Sequence, residues 1–252
     1  GQAVTHDSAG RLTKIGSDIY AYDSRDLLTT ITGPNAGTNT YNGAGHRVAR
    51  SNASGITRYV IDPSAGNMFS VLQETDGSDS LLRSYVHGYG LLMQVSAADV
   101  PRYYHYDPTG HTLALTDAAA VVTDRYFYPP YGESVSFGTG VNPFRFVGKF
   151  GVMDDENGLH YMRARFLRAK ESVFTSLDPI AGMVSESGTL NRYAYALGSP
   201  LSAIDPTGRT ASREIADASL EKLRTSLGEV VFDGLVKKLC RNRSQSECDM
   251  YG

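Results

Sequence analysis

The sequence predicts an all-β chain, an array of short antiparallel hairpins closed by a short C-terminal helical tail. Three observations carry this. Asp-Pro-Thr-Gly stands twice, at Asp107–Gly110 and Asp205–Gly208. Looser copies of the same Asp/Asn-x-x-Gly frame stand at Asp7–Gly10, Asn42–Gly45, Asn52–Gly55 and Asp155–Gly158, with degenerate ones at Asp23, Asp62 and Asp178. Between these signals, spaced roughly every 10 to 20 residues, run β-branched and aromatic stretches too closely set for crossover helices. The frame has a physical meaning. The leading Asp or Asn accepts backbone hydrogen bonds from two residues on, Pro pre-sets φ at the second place, and Gly supplies the positive φ that closes a hairpin.

In chain order, Ile19–Tyr22 and Leu27–Ile31 flank Asp23, Thr38–Tyr41 and His46–Arg50 flank Asn42, and Ile56–Ile61 runs into Asp62-Pro63 before Phe69–Glu74. In Arg11–Ile15 a period of two puts Thr13 and Ile15 on one face and leaves Leu12 out of phase. Arg102–Tyr106 enters the Asp107-Pro108-Thr109-Gly110 turn and His111–Thr116 leaves it. Val121–Tyr128 is a further strand, ended by Pro129-Pro130, which cannot donate to a ladder. After Gly208 the pattern changes. Ser212 suits a helix cap, Leu220, Leu223, Leu227, Val230 and Val231 recur at helical spacing, and Lys237 and Lys238 suit a helix C-terminus.

Composition excludes several function classes. A net charge of −3, from 24 basic and 27 acidic residues, leaves no basic footprint for nucleic acid. No run of about 18 apolar residues marks a membrane-spanning helix. No cofactor motif is present. With 16 Tyr and no Trp, the aromatic content suits strands whose rings lie on a half-buried face with the hydroxyl at its edge. The chain starts inside a repeat with Gly rather than Met, so the expectation is a piece of a longer polypeptide. Cys240 and Cys248, the two cysteines, either pair as a terminal disulfide or stay as free thiols.

Over residues 103–208 the sequence resembles the RHS/YD-repeat family, in particular its RHS repeat-associated core. The resemblance rests on Tyr104–Gly110, Arg125–Glu133, Phe144–Lys149, Asp155–Phe166, Phe174–Ile180, Asn191–Ala196 and Ser199–Gly208, in that order. Residues 1–100 resemble ordinary YD-type β-repeats, and 209–252 would be a variable helical tail. The resemblance implies a β-ribbon spiralling into a hollow shell that encloses a C-terminal segment, often a toxin. It implies a secreted or cell-surface protein whose partner is the rest of the same polypeptide. Copies of itself, or a secretion-system or immunity protein, are further partners of that kind.

The resemblance also brings a catalytic candidate. Family members that cut themselves free of the toxin do so beside a second Asp-Pro-x-Gly-Leu motif, with aspartates acting like those of an aspartic protease. Asp178 and Asp205 match the motif aspartates, Pro179 and Pro206 follow them, and the cut would fall near Gly208 and Arg209. Two carboxyls sharing one proton let one act as acid and the other as base. This chain has Arg209 where Leu is expected, and no acid near Ala194 between the motifs. The leading expectation is therefore a non-catalytic scaffold in which Asp178 and Asp205 cap turns as Asp107 does. The alternatives are a self-cleaving core and an adhesive module assembling through strand edges. Other candidates read as structural: His105, His111 and His160 lack metal spacing, and Asp154, Asp155 and Glu156 read as a turn closed by Gly158 rather than a calcium loop. Arg163, Arg165 and Arg168 read as one polar strand face.

Overall fold

The computed structural model describes residues 3–64, 68–184 and 187–209. The expected helical tail from residue 210 and the question of Cys240 and Cys248 lie outside the described residues.

The repeated turn is one hydrogen-bonded unit. Asp7 Oδ1 accepts from the N–H groups of Ala9 and Arg11, Asp7 N–H donates to the Arg11 carbonyl, and Gly10 N–H donates to the Asp7 carbonyl. Asp23 repeats all four bonds and closes on Leu27, and Asn42 repeats them and closes on His46. Asp107 closes on His111 in the same way, with the Thr109 hydroxyl on its carboxylate. Three further copies escape the sequence frame: Asp76 closing on Ser80, Ser96 on Val100 and Asp117 on Val121. Their fourth residue is not Gly, yet Asp79, Asp99 and Ala120 take the same positive φ, as Asp26 does. Conversely, Asn52–Gly55 is not this turn. Asn52 pairs directly with Gly55, making a tighter hairpin of two central residues.

These turns join fourteen strands into one antiparallel sheet whose spatial order is the sequence order. The strands are β1 (Val4–His6), β2 (Leu12–Ile15), β3 (Asp18–Tyr22), β4 (Leu28–Thr32), β5 (Gly37–Tyr41), β6 (Arg47–Asn52) and β7 (Gly55–Asp62). They continue with β8 (Ser70–Asp76), β9 (Leu81–Gly88), β10 (Gly90–Ser96), β11 (Pro101–Tyr106), β12 (Thr112–Thr116), β13 (Val122–Phe127) and β14 (Val135–Phe137). The sheet runs without a break across residue 100.

Six of the turns carry a β-bulge at the same offset. After Asp7, Asp23, Asn42, Asp76, Asp107 and Asp117, the register skips Thr13, Thr29, Val48, Leu82, Leu113 and Thr123. A bulge bends its strand and raises the local right-handed twist, so a bulge at hairpin after hairpin coils the ribbon instead of leaving it flat. It also rephases the side chains. Leu12 and Ile15, three residues apart, are both buried because Thr13 is the extra residue. The mixed period of two read over Arg11–Ile15, with Leu12 out of phase, has this bulge as its cause.

The concave face buries one residue where its neighbour on the other face is exposed: Tyr20 against Ile19, Tyr59 against Val60, Tyr85 against Val86, Tyr104 against Tyr103, and Tyr126 against Phe127. Half-buried tyrosine hydroxyls on this face donate to the sheet itself, Tyr41 to the Leu28 carbonyl and Tyr106 to the Leu91 carbonyl. Against this face packs a second, four-stranded antiparallel sheet of β15 (Met153–Asp154), β16 (Leu159–Met162), β17 (Arg165–Arg168) and β18 (Val173–Phe174). Backbone bonds tie the inner layer to both ends of the ribbon, from Leu12 N–H to the Thr175 carbonyl and from Thr112 N–H to the Arg145 carbonyl.

At the middle of the wrap the core is ionic. Arg47 occupies the first strand position after its turn, where the corresponding residues of two other hairpins are the buried Leu12 and Leu28. Its guanidinium binds Asp155 through Nη1–Oδ2 at 2.5 Å and Nη2–Oδ1 at 3.0 Å, with Asn39 Oδ1 at 3.1 Å and the Tyr161 ring centroid at 3.9 Å. Asp155 thus serves the core through Arg47 and Arg50. Removing one partner of a buried pair costs about 3–5 kcal/mol where it strands the other charge. Arg50 Nη1 also lies 3.2 Å from Asp155 Oδ1, so the carboxylate keeps a partner when Arg47 is lost, whereas Arg47 loses its carboxylate when Asp155 is lost. In urea unfolding Asp155→Leu should therefore cost about that much stability, and Arg47→Met less.

Candidate functional site

The last Asp-Pro-Thr-Gly is built like the first. Asp205 Oδ1 accepts from Arg209 N–H at 3.1 Å and from the Thr207 hydroxyl at 3.2 Å, and Gly208 N–H donates to the Asp205 carbonyl. Its surroundings differ, because this turn is sewn into the inner layer by the bend between β16 and β17. Three successive residues of that bend hold three successive carbonyls of the turn. Arg163 Nη1 donates to Pro206 at 2.6 Å, Ala164 N–H to Thr207 at 3.1 Å, and Arg165 Nε to Gly208. Gly208 sits at φ +66°, and a Cβ there would lie 2.5 Å from the Met162 carbonyl oxygen. No larger residue fits this seam unchanged.

Arg165 also draws the two candidate aspartates together. Its Nη2 lies 2.6 Å from Asp178 Oδ2 and 3.2 Å from Asp205 Oδ2, while Nη1 donates to the Arg192 carbonyl at 2.9 Å. Its guanidinium carbon stands 3.7 Å from the Phe174 ring centroid. Arg192 returns the contact by donating through Nε to the Asp178 carbonyl at 3.0 Å. Asp178 caps Ile180 N–H, as a turn aspartate should, but its own N–H bonds to the Arg192 carbonyl, so it belongs to a tertiary junction and not to a local hairpin.

Burial pushes the Asp178 carboxyl above the usual carboxylate range. The Ile180 amide and the Arg165 guanidinium pull it back, and the like charge of Asp205 adds to the rise. Burial likewise lowers Arg165, against the two aspartates. The arrangement can hold two carboxyls and a peptide carbonyl around one cation. The Asp178 carboxyl is disposed to keep its proton above the usual carboxylate range.

The expectation of a single polar face for Arg163, Arg165 and Arg168 is overturned. Arg163 sits in a tight bend at φ +59°, is buried, and donates to the carbonyls of Phe69, Phe150 and Pro206, with burial pulling it down to about 10. Arg165 is buried on β17, and Arg168 pairs with Glu171. Strand alternation suggested a solvated stripe, and only the wrap of the ribbon over it changes that reading. Of the histidines, His105 Nε2 lies 2.9 Å from Thr116 Oγ1, whereas His111 and His160 are buried at the inner layer.

No family model matches the chain. It is 30% identical to the tRNA3(Ser)-specific nuclease WapA of Bacillus spizizenii over 216 residues, which is 82% of this chain and 9% of that protein. It is 42% identical to toxin protein Tse5 of Pseudomonas aeruginosa over 112 residues, 42% of this chain and 8% of that protein. Among solved structures, TcdB2-TccC3-Cdc42 covers 81% of this chain and 11% of its own at a TM-score of 0.63 and 16% identity. The chain belongs to the RHS/YD-repeat family. A Tc holotoxin pore of Photorhabdus luminescens shares the RHS/YD fold at a TM-score of 0.62 and 16% identity, over 82% of this chain and 11% of its own. This RHS/YD chain therefore spans less than a tenth of the curated relatives quoted.

The junction makes a titration prediction. In carboxyl-detected NMR, Asp178 should titrate above the ordinary aspartate value of about 3.9, and Arg165→Gln should move it higher still. A raised folded-state value means that Asp178 contributes stability at low pH and loses it as pH rises through that value.

Proposed function

We propose that this chain is the C-terminal part of an RHS/YD-repeat β-scaffold, exported or displayed at a cell surface, that wraps and holds the departure point of the segment after Arg209. In this reading residues 1–100 are repeat ribbon, 101–208 are the repeat-associated core, and 209–252 are the segment held or displayed. One observation carries it: the last turn has three consecutive carbonyls gripped by Arg163, Ala164 and Arg165, so the turn that ends at Arg209 is fixed to the inner layer. Among the described residues, the turns at Asp7 and Asp107 have one carbonyl each held from the inner side, Gly10 by Tyr193 and Gly110 by Lys149. The rest of the same polypeptide is the expected partner. The toxin and nuclease activities named for Tse5 and WapA belong to those proteins.

A second reading has its own support. Asp178 and Asp205, from the two motifs, converge on the Arg165 guanidinium next to the turn that ends at Arg209, which supports a self-cleaving core. Here Asp178 would accept or deliver the proton and Arg165 would hold the adjoining peptide in place.

Intact-mass spectrometry of the purified chain separates the two. The scaffold reading expects one species of full mass, unchanged by Asp205→Asn. A break beside Arg209 that disappears in Asp205→Asn would establish the self-cleaving core instead.

A further inference from the structure

A buried titratable group lies outside the aspartate junction. His111 leaves the Asp107 turn at 9% exposure, and His160, on β16, is 3% exposed. The Phe146 ring stacks on both, at 4.4 Å and 13° from His111 and at 5.2 Å and 30° from His160. Hydrogen bonds settle the tautomers. Val147 N–H donates to His111 Nδ1 at 3.0 Å, so the neutral ring carries its hydrogen on Nε2. His160 Nε2 lies 3.0 Å from the Gly132 carbonyl oxygen and is therefore the N–H, which leaves Nδ1 a bare, buried nitrogen without a hydrogen-bond partner.

We propose that the His111–Phe146–His160 stack is an acid-sensitive seam between the two sheets, closed while both imidazoles are neutral and opened when they protonate. In each ring the incoming proton has one place to go, and both places are wrong for the closed state. On His111 it sets an N–H against the Val147 N–H. On His160 it creates a buried N–H with no acceptor. The stack joins four pieces: the start of β12, the turn at 129–132, the segment at 144–148, and β16. Gly132 lies against it so closely that a Cβ would come within 2.5 Å of Phe146 Cγ and 2.8 Å of His160 Nε2, so this contact does not stretch gradually.

Burial lowers both imidazoles; Asp107 opposes it at His111, where the charge of His160 adds to the lowering. At His160, Asp154, the Gly132 carbonyl and Asp155 oppose burial, and Arg145 adds to it. Asp155 is committed to Arg47, and Asp154 lies 3.4 Å from Arg145, so neither carboxylate is idle. Tyr128 and Tyr195 complete the aromatic surround. Because the folded state favours the neutral rings, stability is complete above the free imidazole value of about 6.5 and is lost as pH falls below it. The Arg47–Asp155 contact holds the middle of the wrap outside the stack, so the seam opens locally, at the β11–β13 end of the ribbon.

Hydrogen exchange of the full chain, read by mass spectrometry from pH 7.5 to 5 and normalised for intrinsic exchange, tests this. Opening at 107–116, 129–132, 144–150 and 159–162 should rise up to about tenfold per imidazole per pH unit below 6.5, while 12–31 stay unchanged. The double variant His111→Asn with His160→Gln retains an acceptor for Val147 and a donor for Gly132, and should abolish the dependence. Full pH dependence in that variant overturns the proposal. So does wild-type NMR titration of both imidazoles at their ordinary value, which decides the matter even if the variant fails to fold.

Discussion

The structure depends on one repeated constraint, an acidic or amide side chain that closes a hairpin and a bulge two residues beyond the closure. Asp7, Asp23, Asn42, Asp76, Asp107 and Asp117 each place it in the ribbon. The side chain replaces backbone partners that a loop would otherwise leave to water. The bulge converts each hairpin into a small, same-handed increment of bend and twist. Fourteen strands without it would make a long flat sheet with two sticky faces. With it, one face closes on a second layer, and that enclosure is what makes the remaining chemistry possible.

Enclosure changes what charged residues do. Arg47, Arg163 and Arg165 are all buried, and each works differently. Arg47 is paired with a carboxylate and stacked on Tyr161, joining the two sheets through their centre. Arg163 donates to three carbonyls and stands over the Phe69 ring, and Arg165 divides itself between two carboxylates and two carbonyls. Guanidinium suits all three roles because its five donors lie in one plane and it stays charged when buried. Lysine could serve none of them fully. The inner layer is thus held to the ribbon by directional bonds as much as by apolar contact, which explains how a core rich in tyrosine and arginine packs without tryptophan.

The two copies of Asp-Pro-Thr-Gly show how context assigns a role to a motif. Their internal hydrogen bonds are alike. At Asp107 the turn stands at the ribbon's margin, and His111, its closing residue, continues into the stack with Phe146. At Asp205 the turn is drawn inside, and its carboxylate meets Arg165 beside Asp178. Whether that junction only anchors the chain or also cuts it, the geometry that matters comes from β17 and not from the motif.

Much was legible in the residues alone. The turn frame, the Pro stops and the Tyr-rich strands determined an all-β hairpin array, because each acts through bonds within a few residues of itself. The turns at Asp76, Ser96 and Asp117 were illegible, since a positive φ at Asp79, Asp99 or Ala120 is imposed by the hairpin around it and has no marker as clear as Gly. The phase of Leu12 was illegible because a bulge is a property of a strand pair. The same reason hid Arg165: alternation along one strand assigned it to solvent, and only the ribbon folding over that strand, with Asp178 and Asp205 arriving from 13 and 40 residues away, made it the centre of the junction. Local chemistry settled which residues turn the chain, and the enclosure, a sum of bends along the whole ribbon, settled which of them meet.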